Sequence, residues 1–122
     1  MEGWVKILRK FVNWEWYDDI NTKTVFLHLL LTANYADKNW KGIEIKRGQK
    51  ITSIKNLAKE TNLSIQEVRT SLKRLKSTRE ITIETTNKYT LITIEKYNNY
   101  QDDGFKINKQ NNNPPNNRTT NK

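Results

Sequence analysis

Ser64-Ile65-Gln66-Glu67-Val68-Arg69-Thr70-Ser71-Leu72-Lys73-Arg74-Leu75-Lys76-Ser77-Thr78 carries the strongest local signal in the chain. It opens on a capping box, in which the Ser64 hydroxyl accepts an early backbone N–H and the Glu67 carboxylate reaches back to the helix start. Behind it, Ile65, Val68, Leu72 and Leu75 recur at three- and four-residue spacing and predict one buried stripe. The opposite side holds Gln66, Thr70, Lys73 and Arg74, with Arg69 and Lys76 flanking. From Arg69 to Arg79 there are five basic residues and no acidic one. The stretch predicts an amphipathic helix with a cationic wet face, narrow enough to enter the major groove of DNA.

The flanking sequence gives this helix a context. On its N-terminal side, Ser53 can cap a shorter helix over residues 54–61 that buries Leu57 and Ala58. Asn62 is placed to end that helix in the left-handed conformation asparagine tolerates. On the other side, residues 80–95 predict a β-hairpin turning around Asn87-Lys88. In that register Ile81 opposes Ile94, Thr82 opposes Thr93, Ile83 opposes Ile92 and Thr85 opposes Thr90, so like pairs with like across the strands. Two helices joined by a short turn and followed directly by a hairpin have the order of a winged helix-turn-helix.

Farther toward the N-terminus the signals are more ordinary. Trp4, Ile7, Leu8 and Phe11 are spaced as one face of a helix over residues 4–12. Trp14, Trp16 and Tyr17 follow, and their plain reading is core packing. Residues 18–21 supply cap candidates for a second helix over 22–35, apolar on nearly every side through Val25, Phe26, Leu27, Leu29, Leu30 and Leu31. Such a helix is deeply buried or has a second face for a partner. His28 falls on its most polar stripe with Thr32, a surface or boundary position. Residues 35–42 read as a polar connection, Ile43-Glu44-Ile45 as a short strand, Arg47-Gly48 as a turn and Lys50-Ile51-Thr52 as strand again. The expected fold class is therefore α+β, with two N-terminal helices, a helix-turn-helix and a hairpin wing.

Composition bounds the function. The 122 residues are the length of one domain and 34% are hydrophobic, enough for a core. A mean hydropathy of −0.91 leaves much of the chain wet. No cysteine is present and His28 is the only histidine, so thiolate frameworks and imidazole-based metal sites are not expected. No apolar run approaches the ~20 residues of a membrane span. The start, Met1-Glu2-Gly3-Trp4, lacks the layout of a secretory signal, and a cytoplasmic soluble protein is expected. The net charge of +9 is localised: residues 41–80 carry eleven basic and four acidic side chains, whereas residues 1–40 carry five of each. A concentrated positive field suits a polyanion, although a solvated lysine-rich surface would have the same composition.

Tyr97 and Tyr100 are expected to pack back on the domain, which would span residues 1–100. Residues 101–122 include seven asparagines and Pro114-Pro115, the composition of a disordered tail or linker. The expected DNA contacts are Ser64, Gln66, Arg69, Thr70, Lys73, Arg74 and Lys76 on the helix, and Thr86, Asn87 and Lys88 at the hairpin tip. Cations there can neutralise phosphates or read guanine, and Gln66 can pair with adenine. No nucleophile–base pair, metal cluster or phosphate-cradling glycine loop points to an enzyme or a cofactor.

The spacing of Leu57-Ala58, Leu63-Ser64, Val68-Arg69, Leu72, Leu75 and Ile81 resembles the helix-turn-helix of many bacterial winged-helix regulators. A closer resemblance covers residues 3–101. Gly3-Trp4-Val5-Lys6, Trp14-Glu15-Trp16-Tyr17, Lys46-Arg47-Gly48-Gln49, Ile51-Thr52-Ser53 and Lys88-Tyr89-Thr90-Leu91-Ile92-Thr93-Ile94 are similar to the N-terminal domain of DnaD-like replisome organisers of Gram-positive bacteria and their phages. That resemblance implies a double-stranded-DNA-binding, sometimes self-associating winged-helix domain acting in phage or plasmid replication initiation. It further implies a linker to a C-terminal region that engages replication proteins, expected here to be absent by truncation or because this is a free-standing version. The chain departs from the pattern at Arg79, where related sequences carry glycine; a left-handed position there costs arginine about 1 kcal/mol. A transcriptional regulator with the same contacts, and a winged-helix protein that binds and inhibits a host protein, are the alternatives the residues leave open.

Overall fold

Asp19 starts the first long helix by the usual device: its carboxylate accepts the Thr22 N–H at 3.1 Å, satisfying an end donor that would otherwise lack a partner. In the computed structural model, which describes residues 3–98, this helix is α1 (Ile20–Thr32). The hairpin strands β1 (Lys38–Trp40) and β2 (Ile43–Ile45), the strand β3 (Gln49–Thr52), the helices α2 (Ile54–Thr61) and α3 (Ile65–Ser77), and the strands β4 (Ile81–Thr85) and β5 (Thr90–Ile94) follow. The fold is α+β, with three α-helices and two small antiparallel sheets among the described residues. All of these elements belong to one unit, residues 9–95. A second unit comprises residues 1–8 and 96–122, of which 3–8 and 96–98 are described.

The core is built from one face of each element. α1 buries Val25, Phe26, Leu29 and Leu30, α2 buries Leu57 and Ala58, and α3 buries Val68, Leu72 and Leu75. Ile81, Ile92 and Ile94 close it from the sheet, and each fully buried aliphatic side chain contributes about 1.5–3 kcal/mol. α3 packs on α1, α2 and β4, so its apolar stripe is consumed and its opposite face is left outward. Leu31 remains 51% exposed on α1, the one exposed residue of its leucine run.

The β4–β5 register is Ile81↔Ile94, Thr82↔Thr93, Ile83↔Ile92 and Thr85↔Thr90, as the alternation requires. β3 adds to the other side of β5 with Lys50↔Ile92 and Thr52↔Thr90, giving the order β3-β5-β4. The turn before β3 uses Gly48 at φ 85°, with the Gln49 N–H donating to the Lys46 carbonyl at 3.0 Å. Asn34, just past α1, is tied to this turn from both sides: its N–H donates to Gln49 O and its carbonyl accepts from the Gly48 N–H.

Four expectations are corrected. The helix over residues 4–12 does not form; only a 3-10 turn at Arg9–Asn13 is present, so the fold has one long N-terminal α-helix instead of two. A nine-residue helix is too short to hold itself together in water, and Trp4, 78% exposed, and the half-exposed Ile7 and Leu8 gain little burial that could offset its nucleation. Residues 35–42 are not a plain connection: Lys38–Trp40 pairs with Ile43–Ile45 across Lys41-Gly42, both at positive φ as a two-residue hairpin turn demands. The second helix begins at Ile20 and ends at Thr32, where the predicted range was 22–35. Ile65 is 43% exposed because it lies in the first turn of α3, at the edge of a stripe centred on Val68 and Leu75. Tyr97 is buried, while Tyr100, the boundary near residue 100 and the tail 101–122 lie outside the described residues.

Candidate nucleic-acid interface

Both ends of α3 are fixed by local chemistry. At the start, Ser64 Oγ accepts the Glu67 N–H at 3.0 Å and Glu67 Oε1 accepts the Ser64 N–H at 2.8 Å, completing the capping box. The Ser64 hydroxyl is thereby engaged as a cap. At the other end the Glu80 N–H donates to Leu75 O at 2.9 Å and the Arg79 N–H to Lys76 O at 3.1 Å. That is a Schellman closure with Arg79 at φ 65° in the left-handed position, the strained arginine the sequence comparison singled out.

Between these ends, Gln66, Thr70 and Lys73 face away from the core, with Arg69 and Lys76 on one flank and Arg74 on the other. All are exposed except the half-buried Thr70, and Gln66 Nε2 lies 3.4 Å from the Thr70 hydroxyl. Arg74 has a partner within the chain. Its guanidinium forms an ion pair with the Asp19 carboxylate and lies 6.0 Å from the centre of the Trp16 ring. Burial alone would raise the Asp19 pKa, but hydrogen bonding from Thr22 and the charge and hydrogen bond of Arg74 outweigh it and hold the carboxyl below its ordinary value. Arg74 thus joins α3 to the cap of α1.

Sequence reasoning did not anticipate the bracing of this junction by tryptophan. The Trp14 indole N–H donates to Glu80 Oε2 at 2.9 Å, and the Trp16 N–H to Thr78 Oγ1 at 3.0 Å. The Trp14 ring also packs against Phe26 and Phe11, with centroids 4.9 and 5.1 Å away. An aromatic run was visible as core material; partners more than sixty residues away were not.

The remaining predicted residues form a second group at the β4–β5 turn. Thr86 closes it: its hydroxyl accepts the N–H groups of Lys88 and Tyr89, each at 3.1 Å, and its own N–H donates to Tyr89 O at 2.9 Å. Asn87 and Lys88 are exposed on this tied tip. Lys88 also lines a groove of about 520 Å³ with Lys38, Trp40, Lys50 and Tyr89. Of these, only Lys88 carries a sequence signal for a site, because β1, which supplies Lys38 and Trp40, falls in the stretch 35–42 that reads as a polar connection.

Among the described residues no helix is long and apolar enough to cross a membrane. No protein-family model, curated protein or solved structure matches the chain.

Proposed function

We propose that residues 9–95 are a winged helix-turn-helix that binds duplex DNA in the cytoplasm, with α3 as recognition helix and the β4–β5 hairpin as wing. The observation that carries this reading is the outward face of α3: Gln66, Arg69, Thr70, Lys73 and Lys76 stand on a helix whose other side buries Val68, Leu72 and Leu75 in the core. A rod of this diameter reaches base edges in the major groove, where arginine, lysine and glutamine have fitting donors. The order α2, three-residue turn, α3, hairpin supports the same assignment. Lys88 on the wing tip then meets the phosphate backbone. The likeness to replisome organisers directs the proposal to replication initiation in a phage or plasmid, with self-association and replication proteins as further partners.

Anisotropy titration of the full chain on a labelled duplex tests the reading. With Arg69, Lys73, Lys76 and Lys88 each neutralising one phosphate, log K falls against log salt with a slope of about −4. Lys73→Glu weakens binding more than Lys88→Glu, because it disturbs base readout as well as backbone contact. Unchanged affinity in both variants, each with a native circular dichroism spectrum, overturns it.

A further inference from the structure

The groove that Lys88 shares with the β1–β2 hairpin joins cations to aromatic rings, and the rings have no stacking partner in an intact duplex. Its cations are Lys38, Lys50 and Lys88, and no carboxylate is among the described residues that line it. Trp40 and Tyr89 form its aromatic part, edge to face, with ring centroids 5.9 Å apart and planes at 87°. Asn34 and Asn56 add amide groups able both to donate and to accept. Trp40 and Tyr89 are only half-buried, and Lys41 Nζ lies 4.9 Å from the Trp40 ring centre, a cation over one ring face that a base stacking there displaces. The volume of about 520 Å³ is that of sites which enclose small organic groups.

Within a duplex, base faces are covered by neighbouring base pairs and only edges are presented in the grooves. An aromatic side chain can stack only on a base that has left its stack, and a ring of lysines around such a platform suits the phosphates on either side of it. We propose that this groove binds single-stranded nucleic acid, seating one unpaired base against Trp40 and Tyr89 while Lys38, Lys50 and Lys88 hold the adjacent phosphates. The site is separate from the outward face of α3, and the proposal does not depend on α3 binding a duplex. Its position at the tip of the β4–β5 hairpin allows a single strand to run on from whatever that tip touches.

The test is anisotropy of a labelled twelve-nucleotide oligodeoxythymidine with the full chain. Trp40→Ala lowers affinity by about tenfold or more, as loss of one base–aromatic stack does. Trp40→Phe keeps most of the binding, Lys38→Glu weakens it, and Lys73→Glu leaves it unchanged while affecting only a duplex probe. Oligouridine of the same length runs beside it: equal binding assigns the site to base and phosphate alone, and tighter binding assigns an RNA strand as its source. Absence of binding to both oligonucleotides overturns the proposal, as does unaltered affinity in a folded Trp40→Ala chain. If Trp40→Ala does not fold, Lys38→Glu decides, since Lys38 is exposed and its reversal without effect is equally fatal.

Discussion

The two ends of α3 are held in different ways. Its C-terminal end is tied to distant parts of the chain: Arg74 to Asp19, Thr78 to Trp16, and Glu80 to Trp14. Its N-terminal end is held by a capping box whose members are three residues apart, and Ile65, Gln66 and Arg69 there are exposed. One end fixes the helix axis through long-range polar bonds, and the other keeps its outward residues exposed while Val68 alone of its first turn is buried. In the proposed reading this is a useful division, because the N-terminal residues of a recognition helix are the ones that meet base edges. An interface whose scaffold is already fixed loses less conformational entropy when it binds.

The comparison predicts a graded loss of stability. Trp14→Ala is the largest expected effect: it removes the ring contacts with Phe11 and Phe26 and leaves Glu80 without its indole partner, costing about 3 kcal/mol. Urea unfolding measures it, and a loss below 1 kcal/mol would show that the braced end is not braced by tryptophan.

Asp19→Ala comes next, at about 1–2 kcal/mol, since it deletes a helix cap and the Arg74 partner together. Its contribution has a defined pH dependence. The folded carboxyl lies below the ordinary value of 3.8, so the stabilisation is fully present above that value and fades as pH falls through the folded pKa. Unfolding curves of wild type and Asp19→Ala should therefore converge in acid, and a gap that widens there would contradict the pairing.

Arg79→Gly has the opposite sign. Glycine accepts the left-handed conformation at φ 65° without the steric cost borne by arginine, and the variant should gain about 1 kcal/mol in thermal or urea unfolding. A loss would mean that the exposed arginine makes a contribution that its backbone cost conceals. The smallest effect belongs to the open end. Arg69→Ala should change stability by less than about 0.5 kcal/mol, and a larger loss would show that this face is part of the fold's support.

What the sequence disclosed follows the range of each interaction. The capping box, the Val68–Leu72–Leu75 stripe, the Asn62 turn and the isoleucine–threonine register of β4 and β5 are local, and each appears as read. The pairing of β3 with β5, the Arg74–Asp19 bond and the indole bonds of Trp14 and Trp16 join residues 38 to 66 apart; no periodicity encodes them. The N-terminal helix fails for the converse reason: its spacing is helical, but Trp4, Ile7 and Leu8 stay largely exposed. For the candidate interface, residue type and face were legible, whereas the pairing of Arg74 and the groove beside Lys88 depend on how elements meet.

The hairpin register has a consequence of another kind. Strand residues advance about 3.3 Å each, so the five residues of β4 set the turn at Thr86 about 16 Å along the strand from the end buried at Ile81. A slip by one position would turn every isoleucine to the wrong side, so this length cannot drift gradually; it can change only by whole pairs of residues. The β4–β5 hairpin is a ruler graduated in steps of about 7 Å, and it fixes how far Lys88 stands from the core to which α3 is anchored.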